Sequence, residues 1–112
     1  MLCGGYVSLV FKGFYQTNQD YDQSRTTSCA LEFFGVDMVN PNLFLDFVVE
    51  FYADNKNPPI PSSFIDMDDT AAFAFIYLPL DCLSGFLQLA TTSKEALVLI
   101  DTADPTNNHI EF

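Results

Sequence analysis

Asp66, Asp68, Asp69 and Thr70, within the run Phe64-Ile65-Asp66-Met67-Asp68-Asp69-Thr70, form the densest group of reactive side chains in the chain. Clustered carboxylates suit a hard cation such as Ca²⁺ or Mg²⁺. The run has neither the Gly at its sixth position nor the Glu at its twelfth that a calcium loop needs, and Asp20 and Asp22, on either side of Tyr21, make a thinner pair. Both groups read as solvated acidic loops, with no bound metal expected.

The segment Asp66-Met67-Asp68-Asp69-Thr70 resembles the D-x-D-x-T motif of the haloacid dehalogenase phosphotransferases. That resemblance implies a phosphorylated Asp66, Asp68 as general acid and base, and Mg²⁺ between them. Leu89-Ala90-Thr91-Thr92, Lys94 and Leu99-Ile100-Asp101-Thr102-Ala103-Asp104 resemble the family's later motifs. Spacing argues against that architecture. The family sets its motifs at the ends of successive parallel strands, and each crossover takes a dozen or more residues. Here two residues separate Thr91 from Lys94 and six separate Lys94 from Asp101. The stretch before Asp66, Pro58-Pro59-Ile60-Pro61, is also too rich in proline for a central strand. An acidic turn leading into an apolar strand is the better reading.

Other catalytic equipment is sparse. The single histidine, His109, lies near the C-terminus, so any Ser-His-Asp or Cys-His site would have to be built on a segment prone to fray. With one His and no C-x-x-C pair, a structural zinc site is not expected. Gly4-Gly5 and Gly13 form no phosphate-binding loop. We expect no catalytic residues, no cofactor and no enzyme.

Charge is more informative. The 112 residues include 15 Asp or Glu but only 4 Lys or Arg, for a net charge of -11. Charged residues make up 17% where about 25% is usual, so the imbalance arises from missing cations rather than added acids. Such a surface repels nucleic acid and anionic lipid, and attracts a basic protein. Asp20, Asp22, Asp66, Asp68, Asp69, Asp101 and Asp104 fall at expected turns or strand ends, where recognition is commonly placed, and Tyr15, Tyr21 and Tyr52 are the candidate aromatic anchors.

Residues 1–112 read as one domain, with 49% hydrophobic content, 12 Phe and a mean hydropathy of +0.17, more apolar surface than one small core hides. Self-association, to a homodimer for example, is one outlet for the excess. No run approaches the 18 apolar residues of a membrane helix, and no basic leader precedes one. Cys3, Cys29 and Cys82 are odd in number and widely spaced, which suits small core hydrophobes in a reducing cytoplasm.

Period-two patterning over residues 6–14 and 28–36 predicts strands, and residues 71–78, apolar on both faces, read as a central strand. Residues 85–90 and 95–100, on either side of Thr91-Thr92-Ser93-Lys94, read as a hairpin. Residues 43–52 fit two templates. As a helix, Phe44, Phe47, Val48 and Phe51 form a stripe with Asn40-Pro41 at its start; as a strand, Leu45, Phe47, Val49 and Phe51 share a face. The Asn-Pro start tips the expectation to helix. The expected fold is α+β, a small antiparallel β-sheet with one helix packed on a face, and an all-β sandwich is its rival. The functional expectation is an acidic, non-enzymatic cytoplasmic protein that inhibits a basic, nucleic-acid-handling protein, as an immunity protein or a phage nucleic-acid mimic would. The alternative is a β-rich assembly module.

Overall fold

A computed structural model describes residues 2–14, 27–52 and 63–112, with side chains over 2–10, 29–52 and 63–112. Among the described residues, seven strands form one mixed sheet: β1 (Leu2–Phe14), β2 (Thr27–Val36), β3 (Phe44–Tyr52), β4 (Ser63–Met67), β5 (Ala71–Pro79), β6 (Ala96–Asp101) and β7 (His109–Glu111), with one α-helix, α1 (Leu83–Thr92). Their order across the sheet is β4-β5-β3-β2-β1-β6-β7. Every neighbouring pair is antiparallel except β3 and β5, which run parallel because β4 lies between them in sequence but outside them in space. The sheet is therefore mixed, not purely antiparallel as expected.

Residues 43–52 contribute a strand, not a helix. Leu45, Phe47, Val49 and Phe51 are each 0% exposed, while the alternating Phe44, Asp46, Val48 and Glu50 remain partly open. A helix would have set Phe44, Phe47, Val48 and Phe51 together. Pairing to β2 on one side and β5 on the other decides for the period-two pattern, a tertiary effect stronger than the local Asn-Pro signal.

The helix lies instead where a hairpin was expected. Leu83, Phe86, Leu87 and Ala90, at helical spacing, pack against the core cluster, and Thr91-Thr92 end the helix with hydroxyls bonded back to the Leu87 and Gln88 carbonyls. Phe86 meets the rings of Phe33 and Phe51 edge-on at 6.4 and 5.6 Å. The helix carries the chain across the inner face from β5 to β6, on the far side of the sheet. Phe112 closes over the same face against Phe33 and Phe86.

The sheet curls around this inner face, bringing edge strand β4 against a 3₁₀ turn, Pro105–Asn107, between β6 and β7. Cys3, Val7, Leu31, Phe33, Ala72, Ala74, Val98 and Ile100 fill the interior. Cys3 and Cys29 are the expected small core hydrophobes, but Cys82, in the turn leading into α1, is exposed, because a 3₁₀ turn at the rim has no buried position to offer it. No helix among the described residues is long and apolar enough to cross a membrane.

Candidate functional site

Strand register places five of the acidic candidates at one end of the sheet. Leu2 of β1, Val36 of β2, Phe44 of β3, Ala71 of β5, Met67 of β4 and Asp101 of β6 all stand at this end. The β4–β5 turn with Asp68 and Asp69 therefore joins the β6–β7 connection with Asp101 and Asp104. Contact between β4 and the 3₁₀ turn draws the two together, with Asp66 beside them on the outer face of β4. Asp20, Asp22, Tyr15 and Tyr21 lie outside the described residues.

The five carboxylates do different work. Asp68 Oδ1 accepts from the Thr70 and Ala71 amides at 2.7 and 2.9 Å and from the Thr70 hydroxyl, and these bonds, the Thr70 amide first, hold its carboxyl below the usual range. Asp101 accepts from the Asn107 side chain and from the Ala103 and Asp104 amides, which likewise lower its carboxyl. Asp104 caps the 3₁₀ turn through the Thr106 amide and hydroxyl. These three build the turns that present them. Asp66 and Asp69 are exposed and take no hydrogen bond from the described residues, leaving both carboxylates open to a partner. Among the described residues, no group of His, Cys, Asp or Glu has metal-ligand geometry.

The same end contains a buried carboxylate that sequence inspection did not single out. Asp37, in the β2–β3 turn, is 5% exposed and accepts from the Gly4, Val39 and Asn40 amides at 2.7, 3.1 and 2.7 Å. Burial alone would raise its carboxyl, but the three amides outweigh that and keep it below its ordinary value. Its role is to tie the turn to β1. The signal in the sequence was an Asp ahead of Asn40-Pro41, a pairing that favours a turn as much as a helix start.

A second group lies on the outer face of the sheet. Leu2, Tyr6, Val36, Phe44 and Phe64 stand there exposed, Tyr6 at 57% and Phe44 at 41%. Half-buried rings continue the surface, with Phe34 against Phe44 at 5.2 Å and a row of Phe64, Phe75 and Tyr77 with 5.2 Å between successive rings. Within this apolar field are Glu32 and Asp46. Burial, a hydrogen bond with Glu32 and the charge of Glu32 together push the Asp46 carboxyl up to about 7. Its Oδ1 is buried without a hydrogen-bond partner among the described residues. Tyr52, expected as an exposed anchor, is only 9% exposed, because it sits at the end of a central strand between β2 and β5.

At the end of the face beside Asp37, a cavity of about 310 Å³ opens between β1, β6, β7 and the β2–β3 turn, lined by Leu2, Met38, Val39, Leu97, Leu99 and His109 among others. The His109 ring lies 3.5 Å from Glu111 and bonds the Asn107 carbonyl. Comparison of the chain with protein-family models, with characterised proteins and with solved structures finds no match.

Proposed function

We propose that this is a non-enzymatic acidic binding protein that engages, and by occupying its surface inhibits, a basic nucleic-acid-handling protein, as an immunity protein or a phage nucleic-acid mimic does. The observation that supports this is the gathering of Asp66, Asp68, Asp69, Asp101 and Asp104 at one end of a chain with a net charge of -11. Carboxylates fixed by short turns present a preorganised negative surface where a nucleic-acid channel expects phosphates, and the field of the whole chain steers a basic partner toward it. Asp66 and Asp69 supply direct contacts, while Asp68, Asp101 and Asp104 set the shape of the surface.

Capture of basic proteins by the immobilised chain at about 50 mM and about 500 mM salt tests this, because rim charge pairs lose most of their attraction across that range. The expected result is a nucleic-acid-handling protein retained at low salt, released at high salt, and lost in the double variant Asp66→Asn, Asp69→Asn. A partner held equally at both salts and by the variant refutes the reading.

The exposed outer face favours a second reading, an assembly module that self-associates through Tyr6, Val36, Phe44 and Phe64. Sedimentation equilibrium separates the two: an assembly module forms a salt-insensitive oligomer that dissociates on Phe44→Ser substitution.

A further inference from the structure

The outer face is apolar, but it is not a neutral surface. Asp46 on β3 is directly opposite Phe34 of β2 on one side and Phe73 of β5 on the other, with Phe44 two residues earlier on the same face. Phe34 and Phe44 meet edge-on, and Phe73 continues to Phe75 at 5.8 Å. Glu32, one pair along β2, reaches the Asp46 carboxyl. Asp66 on the edge strand faces the far side of Phe73. Among the described side chains, no Lys or Arg stands on this face. The geometry is a pair of carboxyls inside an aromatic frame, with one oxygen, Asp46 Oδ1, lacking a donor.

Two occupants compete for such a face, and charge decides between them. A second copy docked face to face would set Glu32, Asp46 and Asp66 against the same residues, with -11 against -11 behind them. A segment bearing a cation meets the opposite situation. A guanidinium matches it better than an ammonium: its planar fork donates to two carboxyls at once, it stacks on aromatic faces, and it gives up hydration more readily.

We propose that the outer sheet face anchors an arginine-bearing apolar segment of the basic partner, with one guanidinium held between the Glu32 and Asp46 carboxyls and framed by Phe34, Phe44 and Phe73. This rests on the basic-partner reading above and adds the chemistry and the face: the acidic end steers, and the outer face holds. The two carboxyls part to admit the guanidinium, which supplies the donor that the buried Oδ1 lacks and displaces the Asp46 proton, so affinity rises as pH rises through about 7.

The test is a nuclear magnetic resonance titration of the full chain, labelled with ¹⁵N, using an acetylated and amidated pentapeptide, Ala-Leu-Arg-Leu-Ala, and its lysine and citrulline counterparts. Saturable shifts centred on Phe34, Phe44, Asp46 and Phe73 are expected for the arginine peptide. The citrulline peptide should bind roughly tenfold more weakly or worse, with the lysine peptide between. Asp46→Asn and Glu32→Gln should each weaken the arginine peptide by roughly tenfold, and Phe44→Ser, at the rim, gives a second route to the same loss. Equal affinity for arginine and citrulline, indifference to Asp46→Asn, or no saturable shift at all overturns the proposal. Shifts confined to residues 66–71 and 101–107 also overturn it, while leaving the basic-partner reading standing. A concentration-dependent dimer of the free protein, abolished by Phe44→Ser, assigns the face to a second copy and overturns both.

Discussion

The two faces of this sheet are made from the same kinds of residue and meet different fates. On the inner face Phe33, Phe47 and Phe51 are sealed by α1 and Phe112, whereas on the outer face Phe34, Phe44, Phe64 and Phe75 form an aromatic surface that stays partly open. Among the described residues, the inner face carries no acid among those rings. The outer face of the same strands and of β4 interleaves its rings with Glu32, Asp46, Glu50 and Asp66. Apolar content therefore does not distinguish a core from a recognition surface in this molecule. The difference is the presence of carboxyls, which make burial against the chain's own helix costly and burial against a cation favourable.

The largest break in that comparison comes from truncating one ring on each face. Phe47→Ala leaves a cavity in the core and should cost about 3–5 kcal/mol in chemical denaturation, whereas Phe44→Ser, at a ring already 41% exposed, should cost well under half of that. Equal losses would show that the outer face is also part of the folding core. Next comes the Asp37 turn, which the carboxylate ties to β1. Asp37→Ala leaves the Gly4, Val39 and Asn40 amides without their acceptor and should cost about 2–3 kcal/mol, with faster hydrogen exchange at Gly4, while Asp37→Asn retains part of the bonding and loses less.

What the sequence disclosed, and what it concealed, follows the same division. Alternation in residues 6–10 and 28–36 was legible because each strand has one face in the core, and residues 71–78 were legible as a strand apolar on both faces, which pairs on both sides. Residues 43–52 were not, since a run this rich in Phe and Val satisfies both periods and only the flanking strands choose between them. The Leu83–Thr92 helix was hidden by a polar end without glycine, which reads as a hairpin turn until its Leu83, Phe86, Leu87 and Ala90 stripe meets Phe33 and Phe51. The acidic loops could be found by composition. Their convergence could not, because it depends on the sheet curling until β4 meets the turn after β6. Glu32 and Asp46 lie 14 positions apart and become neighbours only through the β2–β3 register.

Smaller effects sharpen the comparison through pH. The Asp46 carboxyl is raised by burial, by its bond to Glu32 and by the charge of Glu32; Phe34 and Phe73 face it from β2 and β5, and Asp66 is the nearest acid on β4. A raised carboxyl stabilises the fold most when protonated. Its contribution is complete below its ordinary value near 4 and is lost as pH rises through about 7. Asp46→Asn should therefore flatten the fall in stability between about pH 4 and 7 and leave the variant more stable at pH 8 by about 1 kcal/mol, partial exposure screening anything larger. A variant less stable at pH 8 would mean that the ionised carboxylate is already satisfied and that the outer face has no donor to seek.

The smallest effect belongs to the acidic end. Asp68 is lowered by the Thr70 amide and hydroxyl and by the Ala71 amide, the opposite sign to Asp46, so its contribution is complete above its ordinary value and is lost as pH falls from there through the lowered one. Asp68→Ala should leave the global unfolding transition almost unmoved, because the turn is exposed, yet accelerate amide exchange at Thr70 and Ala71 at neutral pH, and much less once the pH is low enough to protonate the wild-type carboxyl. The comparison with Asp69→Ala is the informative one. Asp69 holds no turn among the described residues, so its removal should leave those amides unchanged while reducing the rate of partner capture at low salt. If both variants loosen the turn equally, or both slow capture equally, then the division at this end between carboxylates that shape the surface and carboxylates that touch the partner does not hold.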